Sequence, residues 1–241
     1  MSYAQDLKQG GYSLIPGNHY LSVERYGECN DVISEHIINL RSAFFNLKLD
    51  PYSSGNRLRS YIQFKIINGE IYYGKFEPYL QTKSYNPDTG GIIREYPEID
   101  QSVLQNPLFK QLLNSDISFV KEYINTEELS HYTMGVHLFR YQATRESPAY
   151  SSPVWLHKDD EDIVFVHLID KSANAIGGTS VIAESSREIT GVIELSEFLD
   201  TLVVNHDKFH AVTPLGIASS NSDKMSFRDI ILVTFQRRKR K

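Results

Sequence analysis

Apolar positions along the chain fall into two textures. Between Asp31 and Leu47 they recur at Val32, Ile33, Ile37, Ile38, Leu40, Ala43, Phe44 and Leu47, close to helical spacing. Asp50-Pro51 ends that helix. Arg59 to Ile67 alternates instead, with Tyr61, Ile62, Phe64 and Ile66 apolar, and reads as a strand. Asn68-Gly69 predicts a hairpin turn into Ile71-Tyr72-Tyr73. From Tyr79 to Pro97 the chain is rich in Asn, Pro, Gly and Tyr, and Asn86-Pro87-Asp88-Thr89-Gly90-Gly91 predicts a loop. Helical spacing returns from Val103 to Asn125, with Pro107 near a first turn. Leu108, Leu112, Leu113, Ile117 and Val120 take its buried side.

After Tyr132 the pattern becomes a run of short strands separated by turn signals. They cover Gly135 to Tyr141, Pro153 to His157, Ile163 to Ile169, Ser180 to Ala183, Thr201 to Asn205, Ala211 to Thr213 and Asp229 to Phe235. Such spacing predicts an antiparallel sandwich or barrel, and helices ahead of it predict packing on the outside of one sheet. The expected fold is α+β: a double-stranded β-helix (jelly-roll) core with N-terminal helices on one sheet. A single domain over 1–241 is expected, with a helix-rich part and hairpin at 1–131, the core at 132–236 and a basic tail at 237–241.

Composition narrows the setting. With 241 residues, 41% of them hydrophobic, one large core can be buried. Fifteen Tyr and twelve Phe favour strands over helices. A net charge of −5 without a broad basic excess argues against nucleic acid as a partner. Cys29 is the one cysteine, so no disulfide can form within the chain and a reducing cytoplasm is expected. The start, Met1-Ser2-Tyr3-Ala4-Gln5-Asp6, does not read as a signal peptide, and no apolar run suits a membrane span. The tail Arg237-Arg238-Lys239-Arg240-Lys241 reads as a solvated terminus, with an import or anionic-surface signal as the other reading.

The chemistry concentrates at Trp155-Leu156-His157-Lys158-Asp159-Asp160. Two residues apart on a strand, His157 and Asp159 leave the same face and can grip one metal ion. A second histidine completes the two-His-one-carboxylate set that holds non-haem Fe(II) with positions left open. His210, 53 positions later in Phe209-His210-Ala211-Val212-Thr213-Pro214, is the candidate. His206 competes with it but sits in the turn Asn205-His206-Asp207-Lys208, where exposure is the simpler reading. Asp160 as ligand points away at i+3 and reads better as a contact for a substrate ammonium. The acidic run Asp159 to Asp162 is otherwise a solvated turn; it lacks the spaced ligands and glycine of a Ca²⁺ loop. Arg228 opens the last strand. With three protein ligands on the metal, an α-keto acid can chelate two further positions and leave one for O2. Its distal carboxylate then wants a guanidinium, and Arg228 is placed to offer one; pairing with a surface carboxylate is the plainer alternative.

On these residues the chain resembles the 2-oxoglutarate/Fe(II)-dependent dioxygenases, and more narrowly the bacterial L-isoleucine 4-hydroxylase family. The resemblance is carried by Arg140-Tyr141-Gln142-Ala143-Thr144, Ser151 through Glu161, and Ala175-Ile176-Gly177-Gly178. It continues through Phe209 to Gly216 and Phe227 to Phe235, and more loosely at Arg59-Ser60-Tyr61 and Ser84-Tyr85-Asn86. It implies Fe(II) held by His157, Asp159 and His210, with 2-oxoglutarate and O2 as cosubstrates and ascorbate as an aid in vitro. It also implies hydroxylation of a free aliphatic L-amino acid such as isoleucine, leucine or methionine, with release of succinate and CO2. The wider family often has Arg-x-Ser on its last strand, whereas Ile230 stands third here. The second contact to the keto acid therefore falls to His167, Thr179 or Thr213, although a histidine mid-strand among Val and Leu also suits a core. Tyr141 and Ser151 match the family pattern and are the first candidates for substrate binding. Asp160, Trp155, Arg59 and Arg94 follow, because a free amino acid needs a cation or hydroxyls for its carboxylate and an acid for its ammonium. Two alternatives stay open: the same chemistry on a larger or carrier-bound amino acid, and a non-catalytic jelly-roll binding module. Oligomeric state is left unspecified.

Overall fold

Period-two patterning folds into one broad antiparallel sheet whose two faces do different work. The computed structural model describes residues 2–21, 30–53, 55–67, 70–73, 79–80, 83, 90–124, 126–151, 153–218 and 224–238. Elements run in the order α1 (Tyr3–Gly10), β1 (Tyr12–Ile15), α2 (Asn30–Ala43), β2 (Lys48–Leu49), β3 (Arg57–Ile67) and β4 (Glu70–Tyr73). Next come α3 (Gln101–Gln105), α4 (Pro107–Tyr123), β5 (Tyr132–Thr144), β6 (Ile163–Lys171), β7 (Ala175–Gly177) and β8 (Ser180–Ser185). The chain closes with β9 (Glu188–Ile193), β10 (Thr201–Asn205), β11 (Phe209–Val212), β12 (Leu215–Ile217) and β13 (Met225–Arg237). Strand order in the large sheet is β1-β10-β6-β13-β5-β3-β2, with β4 paired to β3; β11-β8-β9 and β12-β7 form two smaller sheets. No described helix is long and apolar enough to cross a membrane.

On one face of the large sheet, Met134, Val136, Leu138, Ile163, Phe165, Ile231, Val233 and Phe235 pack against α4, whose Leu108, Leu112, Leu113, Ile117 and Val120 are buried. On the other, Phe139, Tyr141, Leu168, Leu202, Val204 and Ile230 meet Ile182 and Leu215 from the smaller sheets and Leu195 from the segment after β9. Alternation along each strand makes the division. Positions 57 and 59 on β3, 139 and 141 on β5, 228 and 230 on β13, and 164 and 166 on β6 line a cavity on this second face.

Several expectations are corrected. The helix over 103–125 is two helices. Asn106 ends α3, accepts the backbone N–H groups of Leu108 and Phe109, and starts α4 with Pro107 at its first position. The strand expected over 153–157 does not form; only an isolated bridge ties His157 to His210. β4 pairs with β3 as a hairpin would require, while Asn68 and Gly69 lie outside the described residues, as do Cys29, residues 84–89, Asn125 and residues 239–241. α1 is a helix beyond those expected: Ser2 caps it through a capping box with Gln5, and Gly11 closes it at φ 74°.

His167 belongs to the helix-facing layer, not to a cosubstrate site. Its position on β6 shares parity with Ile163 and Phe165, and its ring is fully buried. Nδ1 meets Thr201 Oγ1 at 2.7 Å, and Nε2 meets Asp116 Oδ2 on α4 at 3.0 Å. The pair ties helix to sheet. Asp116→Ala should cost about 1–3 kcal/mol of unfolding free energy, because a buried polar partner is stranded. A lowered urea midpoint with unaltered metal uptake is the expected outcome. Loss of metal instead would show that His167 reaches the other face.

Candidate active site

The bridge between residues 157 and 210 brings the three candidate ligands together. His157 N–H donates to the His210 carbonyl at 3.0 Å, and His210 N–H to the His157 carbonyl at 2.9 Å. This side-by-side pairing sets the two imidazoles 4.5 Å apart, centre to centre. Asp159, two residues on, turns its carboxylate between them. Its Oδ2 is 3.1 Å from His210 Nε2 and its Oδ1 is 3.5 Å from His157 Nε2. Ligands bound about 2.1 Å from a metal at right angles lie ~3.0 Å apart, so the spacing fits three adjacent coordination positions. His157 Nδ1 donates to the Trp155 carbonyl at 2.8 Å, which leaves Nε2 as the lone-pair nitrogen facing Asp159. Among the described residues this is the group of His, Cys, Asp and Glu whose ligand atoms all lie within 4.8 Å of one another.

Charge follows from the same packing. Burial alone would push the Asp159 carboxyl up, but the imidazoles, His210 foremost, outweigh it and hold the group well below the usual carboxylate range. His157 is shifted the other way: burial disfavours its cation, and the Asp159 hydrogen bond and charge more than offset that. An anion held between two basic nitrogens is the donor set of a divalent cation. Glu161, buried nearby, accepts a hydrogen bond from Tyr79 Oη at 2.9 Å; burial and then the Asp159 charge push it up to about 7.

The cavity around these groups is small, about 110 Å³. Drug-sized ligands use roughly 300–1,000 Å³. A larger cavity of about 750 Å³ lies between β4, α3 and α4, but the described cluster of potential metal ligands lines the smaller one, where the chemistry resides. Val164, Val166, Val212, Ile230 and Leu232 supply an apolar wall to the smaller cavity, and Arg57, Arg59, Arg94 and Arg228 a cationic one. Arg228 is 2% exposed and its Nη2 has no hydrogen-bond partner. Burying an unpaired guanidinium donor is costly, so this side chain is built for an anion that enters from solution. Gly178, at φ 69°, packs directly behind it: a Cβ there would lie 2.8 Å from Arg228 Cδ. Gly178→Ala should therefore displace the guanidinium and raise the KM for the 2-oxoglutarate that the sequence resemblance implies by about tenfold or more, with metal uptake retained. An unchanged KM would show that the contact is idle.

Of the sequence-derived candidates, His157, Asp159, His210, Arg228, Tyr141, Ser151, Arg59 and Arg94 all line this one cavity. Thr179 and Thr213 do not line it; they sit behind Gly178, where Thr179 N–H donates to Thr213 Oγ1 at 3.0 Å. Asp160 also lies outside the lining. Trp155 is 56% exposed and outside the lining, and it reaches the site through its backbone carbonyl, which accepts from His157 Nδ1. Tyr141 pairs with Arg228 across β5 and β13, which sets it at the Arg228 end of the cavity. Arg57, Tyr79 and Glu161 were passed over. Arg57 was findable, since it shares strand parity with Arg59, whereas the place of Tyr79 depends on a bridge to Arg94 that no local pattern encodes.

Similarity to known proteins agrees with this geometry. A family model described as 2OG-Fe dioxygenase matches residues 41–234. The chain is 51% identical over 244 residues to 3(1)-hydroxy-L-isoleucine 4-dioxygenase of Pantoea ananatis (strain AJ13355), covering 100% of this chain and 98% of that protein. It is 42% identical over 238 residues to L-isoleucine-4-hydroxylase of Bacillus thuringiensis, covering 95% and 98% respectively. The crystal structure of IDO from Bacillus thuringiensis superposes with a TM-score of 0.83 at 34% identity, over 98% of both chains. A bsmA homolog from Methylobium petroleophilum PM1 shares the fold, with a TM-score of 0.82 at 17% identity over 98% of this chain and 92% of that one.

Proposed function

Because the chain belongs to the 2OG-Fe dioxygenase family, we propose that it hydroxylates a free aliphatic L-amino acid, of the isoleucine, leucine or methionine kind, to a hydroxyamino acid. It is an enzyme that uses Fe(II), 2-oxoglutarate and O2. When bound, these supply the oxidation that turns a C–H bond into C–OH while 2-oxoglutarate leaves as succinate and CO2. The observation that carries the reading is the convergence of His157, Asp159 and His210 with a buried, unsatisfied Arg228 in one small cavity.

Each residue then has a task. His157, Asp159 and His210 hold the metal through Nε2, a carboxylate oxygen and Nε2, and the Trp155 carbonyl fixes the tautomer of His157. Arg228 takes the distal carboxylate of 2-oxoglutarate. The wall of Val164, Val166, Val212, Ile230 and Leu232 receives an aliphatic side chain and excludes water from the reacting carbon. We read the large sheet and the facing β11-β8-β9 and β12-β7 strands as a double-stranded β-helix, and residues 1–241 as one dioxygenase domain.

The two similar enzymes are named for substrates that differ by a hydroxyl. An apolar pocket discriminates weakly at that scale, about 10²-fold or less. The test is therefore a screen: purified protein with Fe(II), ascorbate, O2 and 2-oxoglutarate, each proteinogenic amino acid in turn, and hydroxylated isoleucine. Succinate release should rise with one or more free aliphatic amino acids. No stimulation by any of them would refute the reading.

A further inference from the structure

Four guanidinia line the cavity, and the described carboxylate that lines it with them, Asp159, already faces two imidazoles. Arg57 is neutralised from behind: its Nε and Nη2 both donate to Asp50 Oδ2, at 3.0 and 2.6 Å. Arg228 is spoken for in the cosubstrate's carboxylate. Arg59 has no such partner.

Its surroundings are unusual for a buried cation. Arg59 is 3% exposed, and Nη2 donates at 2.7 Å to His137 Nδ1, a neutral acceptor in a ring that burial and the Arg59 charge keep from protonating. Its Nε has no hydrogen-bond partner. Three aromatic faces enclose the guanidinium, with ring centres at 3.8 Å (Tyr96), 4.7 Å (Phe139) and 4.8 Å (Tyr79). These contacts attract a cation and hold it in place without cancelling its charge. The nearest carboxylate oxygen is Asp50 Oδ2 at 3.8 Å, the same atom that Arg57 occupies. Arg59 is thus a rigidly held charge that shares one distant carboxylate with Arg57, on the wall of a cavity that must admit an amino acid.

We infer that Arg59 is the anchor for the substrate's α-carboxylate, so that the enzyme selects amino acids with a free carboxyl group. This rests on the amino-acid reading above and sharpens it, because a peptidyl or carrier-bound amino acid has no free carboxylate and would leave the guanidinium unpaired. Arg94 is also buried, with its guanidinium 4.7 Å from the Tyr79 ring, and its backbone bridge to Tyr79 holds that ring in place. Arg59 binds substrate, while Tyr79, Tyr96 and His137 are positioning residues that act through it.

The experiment is calorimetric titration of protein loaded with Mn(II) and 2-oxoglutarate, which binds without turning over. L-Isoleucine, L-leucine and L-methionine are compared with their C-terminal amides, which have the same side chain and amino group but no carboxylate. Native protein should bind the acids about 10- to 100-fold more tightly than the amides, as expected for a charge-assisted hydrogen bond. In Arg59→Gln the acids should weaken to the level of the amides, and Arg59→Lys should restore part of the preference. Because the native comparison needs no variant, the inference stays testable should Arg59→Gln fail to fold. Equal binding of acid and amide by native protein overturns it. So does a variant in which acid and amide weaken together, or one in which only 2-oxoglutarate weakens. If amino acids bind well but amides bind as well, only the carboxylate anchor fails. If no amino acid binds at all, the substrate class fails with it.

Discussion

Asp159→Ala loses metal and turnover together. The carboxylate sits 3.1 Å from one imidazole nitrogen and 3.5 Å from the other, so its removal leaves two neutral donors and no anion to hold a divalent cation. Metal retained after dialysis and succinate release should both fall to background. His157→Ala should behave alike, since it removes one of the two imidazole donors while leaving the backbone bridge to His210 in place. A longer carboxylate is a finer probe. Asp159→Glu moves the donor by about one methylene and should keep some metal while losing turnover about 10²-fold, the usual cost of misplacing a reacting geometry by an ångström. Asp160→Ala, one position away and outside the cavity lining, should retain its metal. A metal-binding Asp159→Ala protein, or a metal-free Asp160→Ala protein, would show that the ligand assignment is wrong.

Arg228→Met has the second-largest effect, and its two consequences point in opposite directions. Without ligands the native guanidinium is buried, with Nη2 unpaired and its charged form disfavoured by burial. Replacing it with an apolar chain of similar reach should leave the thermal midpoint equal or higher. Binding of 2-oxoglutarate should weaken by about 2–5 kcal/mol, or roughly 30- to 4,000-fold, because the distal carboxylate loses its counter-charge. Saturating 2-oxoglutarate stabilises a protein by about 2.7 kcal/mol at a hundred times its Kd, and that protection should vanish from the variant. A variant that is destabilised yet still protected by 2-oxoglutarate would make Arg228 a structural residue only.

Much of the site was legible in the chain, and strand parity marks where legibility ended. His157, Asp159 and His210 were readable from residue type and order, although the strand that was to place the first two is an irregular segment held by one bridge. Their same-side placement survives because that bridge fixes the backbone of His157 against His210 and Asp159 follows two residues later. His167 was misplaced for a reason already present in the pattern. Val164 and Val166 face the cavity, so Phe165 between them and His167 beyond them must face the helices, where Asp116 meets the histidine. Thr179 and Thr213 stand outside the cavity lining, where the Thr213 hydroxyl accepts the backbone N–H of Thr179. Tyr79 and the cage around Arg59 were out of reach. They arise from contacts between segments far apart in sequence, such as the bridge of Tyr79 to Arg94 and the stacking of Tyr61 on His137 at 4.5 Å.

The α/β division was legible from texture alone. What was not legible was the extent of β5 and β13, thirteen residues each, whose long pairing carries Arg228 to the same level as Tyr141 and Arg57. Turn signals mark strand ends poorly when both strands run past the core and keep pairing at its edge. That overrun is what brings two cations and a tyrosine to one end of the cavity.

The most direct test measures both products of one reaction by mass spectrometry, with L-isoleucine as substrate and 2-oxoglutarate, Fe(II) and O2 supplied. The expected result is an amino acid heavier by one oxygen atom, formed mole for mole with succinate and absent when 2-oxoglutarate is withheld. Succinate formed with no oxygenated amino acid, from isoleucine or any other free aliphatic amino acid, would contradict the assignment of this cavity as an amino-acid hydroxylase.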